Sequence, residues 1–105
     1  VIGTKVLDSS GKEIGKVEDV VLDKTANAIM FAAVGFGGFL GMGEKYHPIP
    51  WAMLDYREDK DGYVVNASKD QLKEAPCDSL KELTQNDGMG YRDAAYDYYG
   101  AERYW

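Results

Sequence analysis

Residues 13–36, EIGKVEDVVLDKTANAIMFAAVGF, predict two long β-strands joined by a tight turn. The first strand, residues 13–23, is rich in β-branched side chains and is flanked by turn-forming residues. Its apolar positions do not alternate strictly; they are Ile14, Val17, Val20 and Leu22. Either a β-bulge near Glu18 and Asp19 shifts the register, or the two ends of the strand face different sides. A helix would also align part of this pattern, but the β-branched content favours a strand.

The second strand, residues 28–36, is apolar on both of its faces. Ile29, Phe31 and Ala33 lie on one face, and Met30, Ala32 and Val34 lie on the other. A sheet covered on one side only would leave one of these faces in water. We therefore expect a further element to cover the second face of this strand.

Turn signals divide the rest of the first two-thirds of the chain into short strands. These are predicted at residues 4–7, 46–51, 52–57 and 63–65. Pro48 and Pro50 are two positions apart, so their backbones face the same side of their strand. Neither proline can donate a hydrogen bond to a neighbouring strand. This strand is therefore expected at an edge of the sheet or at a strand exit.

Helices are predicted in the last third of the chain. Ser68 and Gln71 have the capping-box spacing, which indicates a short helix that ends by Pro76. Residues 77–90 form a polar connector with one helical turn near residues 79–83. A last helix is expected over residues 92–99, followed by Gly100 as a left-handed terminator.

Composition limits the class of protein. The chain has 105 residues, a net charge of −6 and 45% hydrophobic residues, which is ordinary for one globular domain. The acidic charge argues against direct nucleic-acid binding, because that requires clustered Lys and Arg. One cysteine excludes an internal disulfide and a zinc site built from paired thiolates. No apolar stretch is long enough to span a membrane.

The sequence determines the cellular compartment of the protein only in part. The sequence begins with Val1, which indicates a processed product or a fragment, so a preceding signal peptide would not be visible. A single thiol fits a reducing compartment, and we expect a cytoplasmic protein, with an exported form as the alternative.

Candidate catalytic groups are sparse. His47 is the only histidine, and neither a nucleophile nor a second metal ligand accompanies it at a recognised spacing. The favoured interpretation is a strand histidine with a satisfied hydrogen bond, and an enzyme or small-ligand barrel that uses His47 is the alternative. The carboxylates of residues 13–23 are interpreted as a solvated strand face. No base or cation adjoins Cys77 in sequence to activate its thiol.

The glycine-rich segment 35–44, GFGGFLGMGE, is interpreted as a compact turn. It lacks the Gly-Lys-Ser/Thr ending of a phosphate-binding loop, and Glu44 stands where a cation would be needed. Its apolar side chains either lie against the core or form a contact patch.

The C-terminal segment is rich in aromatic residues. Six aromatics lie between Tyr91 and Trp105, and such side chains are enriched both in cores and at interfaces. The segment packs either on its own sheet or on a partner chain, and the sequence leaves both possibilities open. This segment and the glycine loop together predict an interaction surface with these residues: Phe39, Leu40, Met42, Tyr96, Tyr99, Tyr104 and Trp105.

Several motifs together resemble the PRC-barrel domain family. They are GxxIGKVxDVxLD at residues 11–23, VGxGGFLGMGEK at residues 34–45, PxPWxxL at residues 48–54 and SKDxLxxAP at residues 68–76. Relatives include the cytoplasmic part of the photosynthetic reaction-centre H subunit and the C-terminal half of the ribosome maturation factor RimM. The aromatic tail resembles the extension of stand-alone bacterial members.

The resemblance implies a mainly β fold, a small barrel of about six strands with short C-terminal helices. It implies a barrel domain over residues 1–76 and an extension over residues 77–105. It further implies an interaction or assembly module with no catalytic residues and no cofactor, for which a homodimer and an unidentified protein partner are expected. Two alternatives are support of ribosome maturation through a basic ribosomal protein and assembly or regulation of an electron-transport complex.

Overall fold

Six strands form one curled sheet in this computed structural model, which describes residues 2–41 and 43–105. The strands are β1 (Lys5–Leu7), β2 (Glu13–Asp23), β3 (Ala28–Gly35), β4 (Tyr46–Pro50), β5 (Leu54–Arg57) and β6 (Gly62–Val65). Their order in the sheet is β4-β3-β2-β1-β6-β5, and every neighbouring pair is antiparallel except β1 with β6. The mainly β, six-stranded fold expected from the sequence is confirmed, in the form of a half-barrel.

A bulge, one of the two causes that the sequence left open, explains the irregular pattern of β2. Its register with β3 shifts between Val17 and Asp19, which leaves Glu18 as the extra residue of a bulge. A second shift lies between Val21 and Leu22, where Met30 of β3 is the extra residue. Because side chains alternate along a strand, the extra Glu18 places Val17 and Val21 on opposite faces of β2, and both are buried. Leu22 follows Val21 and is exposed.

The prolines of β4 lie at an edge of the sheet, as predicted. The Tyr46 amide donates to the Asp78 carbonyl oxygen at 2.8 Å, on the side of β4 away from β3. Pro48 and Pro50 have the same parity as Tyr46, so their backbones face this outer side too. At these two positions the outer side of β4 therefore carries no backbone amide donor.

The chain passes from one edge of the sheet to the other within three residues. Trp51–Met53 is a 3₁₀ turn between β4 and β5, so the prediction of a strand from residue 52 is wrong for its first two residues. A continuous strand cannot join the two edges, and the turn redirects the chain. Because the two edge strands are this close in sequence, the sheet must curl until they meet at one corner.

Three short helices follow the sheet. They are α1 (Lys69–Glu74), α2 (Leu80–Thr84) and α3 (Met89–Tyr99). The Ser68 and Ser79 hydroxyls accept the Gln71 and Glu82 amides at 3.1 and 3.2 Å, and so cap α1 and α2. Gly100 ends α3 at φ 66°, as predicted, although α3 begins three residues earlier than expected.

Two apolar clusters lie on the two sides of β3. The inner cluster fills the curl of the sheet; its buried members are Val6, Ile14, Val17, Ala32, Val34, Phe36, Leu40, Ile49, Leu54, Tyr63, Val65 and Leu72. The outer cluster consists of Val21, Met30, Phe31, Ala33 and Leu83, with Tyr46, Leu80 and Tyr91 packed against it. The second face of β3 is thus covered by α2 and α3. Met30 departs from the predicted alternation and joins the outer cluster.

No helix in the described part of the chain is long and apolar enough to cross a membrane.

Candidate interaction surfaces

The glycine-loop residues of the predicted interface set lie mostly against the sheet. Leu40 is only 5% exposed and belongs to the inner cluster. Phe39 is half-buried in a 3₁₀ turn, and the ammonium groups of Lys12 and Lys69 lie 5.7 and 5.1 Å from its ring centre. Met42 lies outside the described residues. Of the two predicted interface residues of this loop that the structure describes, Phe39 keeps part of its ring at the surface.

Tyr96 and Tyr99 point into the molecule. The Tyr96 side chain is buried, and its hydroxyl donates to the Met30 carbonyl oxygen at 2.6 Å. Tyr99 packs against the inner cluster, and its buried hydroxyl has no hydrogen-bond partner among the described residues. Burial raises the pKa of Tyr99 far above its usual range, so the hydroxyl stays neutral. These two residues attach α3 to the sheet.

The last two residues return to the turn between β2 and β3. The Tyr104 hydroxyl donates to Asp23 Oδ2 at 2.8 Å, and the Trp105 ring meets the Tyr96 ring edge-on at 4.7 Å. The guanidinium of Arg92 lies 4.0 Å from the centre of the Trp105 ring. The two residues remain partly exposed while they hold this position.

An apolar surface surrounds this corner of the molecule. Leu22 and Met89 are 57% and 47% exposed, and with Tyr104 and Trp105 they form what we name the hairpin–tail surface. It borders a depression of about 490 Å³ that Leu22, Met89 and Trp105 line together with Met30. A cluster of exposed apolar residues of this kind is typical of a contact site.

Leu22 and Met89 are not among the interface residues predicted from the sequence. Leu22 follows the buried Val21 on β2 and lies on the opposite face, where it is exposed. The broken alternation of residues 13–23 was the available signal, since a bulge at Glu18 changes the face on which each later apolar residue lies. Met89 belongs to the unpredicted first turn of α3.

His47 is buried without the hydrogen bond that the sequence analysis expected. It is 1% exposed, and neither ring nitrogen has a partner among the described residues. Its ring meets Phe36 edge-on at 5.2 Å. Burial lowers the pKa of His47, and the backbone of Leu72 offsets part of this shift. The expectation was wrong because the neighbours of His47 on this face are apolar, so the ring serves as packing and stays neutral.

The remaining polar candidates have structural contacts. Asp23 Oδ1 accepts the Thr25 and Ala26 amides at 3.1 and 3.2 Å. The hydrogen bond from Tyr104, followed by these amides, lowers the pKa of Asp23. Burial raises the pKa of the Cys77 thiol, which disfavours its reactive thiolate. Within residues 2–41 and 43–105, no group of three or more His, Cys, Asp or Glu side chains is placed to hold a metal ion.

The half-barrel with a covering of short helices defines a small, mainly β domain. The family model of the PRC-barrel domain matches residues 1–72 of this chain. The chain therefore belongs to the PRC-barrel domain family, which is in general non-catalytic. A comparison with curated proteins finds no match.

Proposed function

We propose that this chain is a non-catalytic assembly module that self-associates and offers the hairpin–tail surface to a partner protein. The observation that supports the proposal best is the exposure of Leu22, Met89 and Trp105 around one depression. Burying such side chains against another chain is favourable by about 25 cal/mol per Å² of apolar surface. A partner protein is expected to cover the hairpin–tail surface, because α3 and the C-terminal residues of this chain already occupy the adjoining faces.

The chemistry around the depression favours binding over catalysis. Its polar lining includes Asp23, Lys24, Asp87 and Arg92. Asp23 holds the turn between β2 and β3, while Arg92 contacts both Trp105 and Asp93. These groups are engaged in holding the corner together, and the buried His47 belongs to the inner side of the sheet. The described residues show no feature that singles out a ribosomal protein or an electron-transport complex as the partner.

The proposal is tested by substituting exposed apolar residues. Leu22→Glu is expected to remove the partners that the wild-type chain retains in crosslinking from its native cells, with little change in the midpoint of thermal unfolding. Ile2→Glu is the matched control, since Ile2 is 64% exposed and lies outside the depression. If both variants retain the same proteins as the wild type, the hairpin–tail surface is not the docking site.

Self-association is tested separately by sedimentation velocity of the wild-type chain. A mass above that of one chain is expected at high micromolar concentration. A strictly monomeric chain across the whole range would contradict this part of the proposal.

A further inference from the structure

The two edges of the sheet differ in what they offer to another chain. On β4, Pro48 and Pro50 remove donors from the outer side, and the bridge from Tyr46 to Asp78 occupies the next position. On β5, the paired strand is β6 alone. In the described part of the chain, Asp55, Tyr56 and Arg57 make no further backbone hydrogen bond. The outer side of β5 therefore presents unpaired backbone groups, which is how a sheet accepts an added strand.

The strand is held in an extended, ordered conformation. Tyr56 lies opposite Tyr63 of β6, and the two rings meet edge-on at 5.2 Å. The Tyr56 hydroxyl also donates to Asp61 Oδ1 at 3.3 Å. Because these contacts fix β5 before any partner arrives, little further ordering is needed for pairing.

The residues of β5 are complementary to themselves. If two copies of β5 pair in antiparallel fashion with Tyr56 on the two-fold axis, Asp55 of each copy faces Arg57 of the other. Opposite charges at directly facing positions stabilise a strand pair, and like charges destabilise it. All three side chains are exposed. Among the described residues, Arg57 forms one ion pair, with Asp59 at 3.8 Å, and its five N–H donors can serve a second carboxylate.

We propose that β5 is the self-association surface, at which two copies of this chain join their sheets through antiparallel pairing of Leu54–Arg57. This rests on the self-association named under the proposed function and assigns it to one edge of the sheet. The interface is isologous, so it closes at two copies and leaves the hairpin–tail surface of each copy for a different partner. A strand this short supplies few hydrogen bonds, so the dimer is weak and depends on concentration.

Charge reversal tests the register directly. Asp55→Arg places like charges opposite each other at two symmetric positions, and so does Arg57→Asp. Each single variant is expected to dissociate about tenfold more readily than the wild type, or more, in sedimentation velocity. Glu74→Arg is the matched control for Asp55→Arg, because it makes the same change in net charge on the exposed end of α1. It is expected to associate as the wild type does.

Two combinations of these substitutions restore the pairing of opposite charges. An equimolar mixture of Asp55→Arg and Arg57→Asp chains is expected to form a heterodimer, since each Arg then faces an Asp. The double variant Asp55→Arg/Arg57→Asp is expected to regain the homodimer. Thermal unfolding of each chain checks that the fold is intact, and a merely structural role for these residues would not produce recovery on mixing.

The outcomes separate this inference from the proposed function. A wild-type chain that self-associates, with single variants that associate equally well or with a mixture that shows no recovery, overturns the assignment to β5 and leaves self-association standing. A wild-type chain that is monomeric overturns both.

Discussion

The inner and outer apolar clusters are built from different parts of the chain. The buried members of the inner cluster lie between Val6 and Leu72, within the residues that the PRC-barrel family model matches. The outer cluster needs Leu83 of α2 and the half-buried Leu80 and Tyr91, all of which lie beyond that match. The matched residues thus supply the buried members of the inner cluster, and Tyr99 of α3 packs against them. The outer face of the family domain at β3 is completed by the helices that follow it.

The largest effect is expected from truncating one leucine in each cluster. Leu72 and Leu83 are both fully buried, the first in the inner cluster and the second in the outer one. Leu72→Ala and Leu83→Ala should each lower the free energy of unfolding by about 3 kcal/mol, because each leaves a cavity. Urea denaturation measures both values. A loss below about 1 kcal/mol for Leu83→Ala alone would show that the helices pack only loosely on the sheet.

A smaller effect is expected where α3 begins. Gly88 has φ 78°, and a Cβ atom there would lie 2.6 Å from Val21 Cγ1 and 3.2 Å from Met30 Sδ. Gly88→Ala should therefore lower the free energy of unfolding by about 2 kcal/mol, because of backbone strain and crowding of the outer cluster.

Gly90 is the matched control for Gly88. A Cβ atom at Gly90, in the first turn of α3, would meet nothing within 4 Å. Gly90→Ala should stabilise the protein by about 0.5–1 kcal/mol through helix propensity. Equal effects of the two substitutions in thermal unfolding would show that the close approach of Gly88 to the sheet is unimportant.

The smallest expected effect is a pH dependence of stability that arises from His47, on the inner side of the sheet. Burial lowers the pKa of His47 below 6.5, so the unfolded chain takes up a proton there before the folded chain does. Stability should be fully present above pH 6.5 and should fall as the pH decreases toward the lowered value. Denaturant midpoints at pH 7.5 and pH 5.5 measure the change. His47→Leu should reduce the difference between the denaturant midpoints at these two pH values. An unchanged difference in that variant would assign the pH dependence of stability to other groups.

Local features of the fold could be read from the order of residues. The bulge at Glu18, the edge position of Pro48 and Pro50, the Ser68 cap and the Gly100 terminator each depend on the chemistry of one or two residues. A proline lacks an amide donor wherever it lies, and a glycine accepts positive φ in any context. Such features can therefore be predicted without knowledge of distant contacts.

The candidate surfaces could be predicted only in part. Phe39, Tyr104 and Trp105 of the predicted set keep some exposure, while Leu40 and Tyr96 are buried. Nothing in the segment 35–44 distinguishes an apolar side chain that turns inward from one that stays at the surface. Leu22 is exposed although it was one of the apolar positions of residues 13–23, and Met89 lies in a turn of α3 that the sequence did not predict.

The positions of strands, turns and caps follow from neighbouring residues, because alternation, missing donors and permitted φ values act over a few positions of the chain. Which apolar side chains become core and which remain exposed depends on contacts such as that of Tyr96 with Met30, which are 66 positions apart. Burial is a property of surfaces that meet after the chain has curled, and so the outer cluster, the neutral His47 and the open edge of β5 emerge only from the folded arrangement.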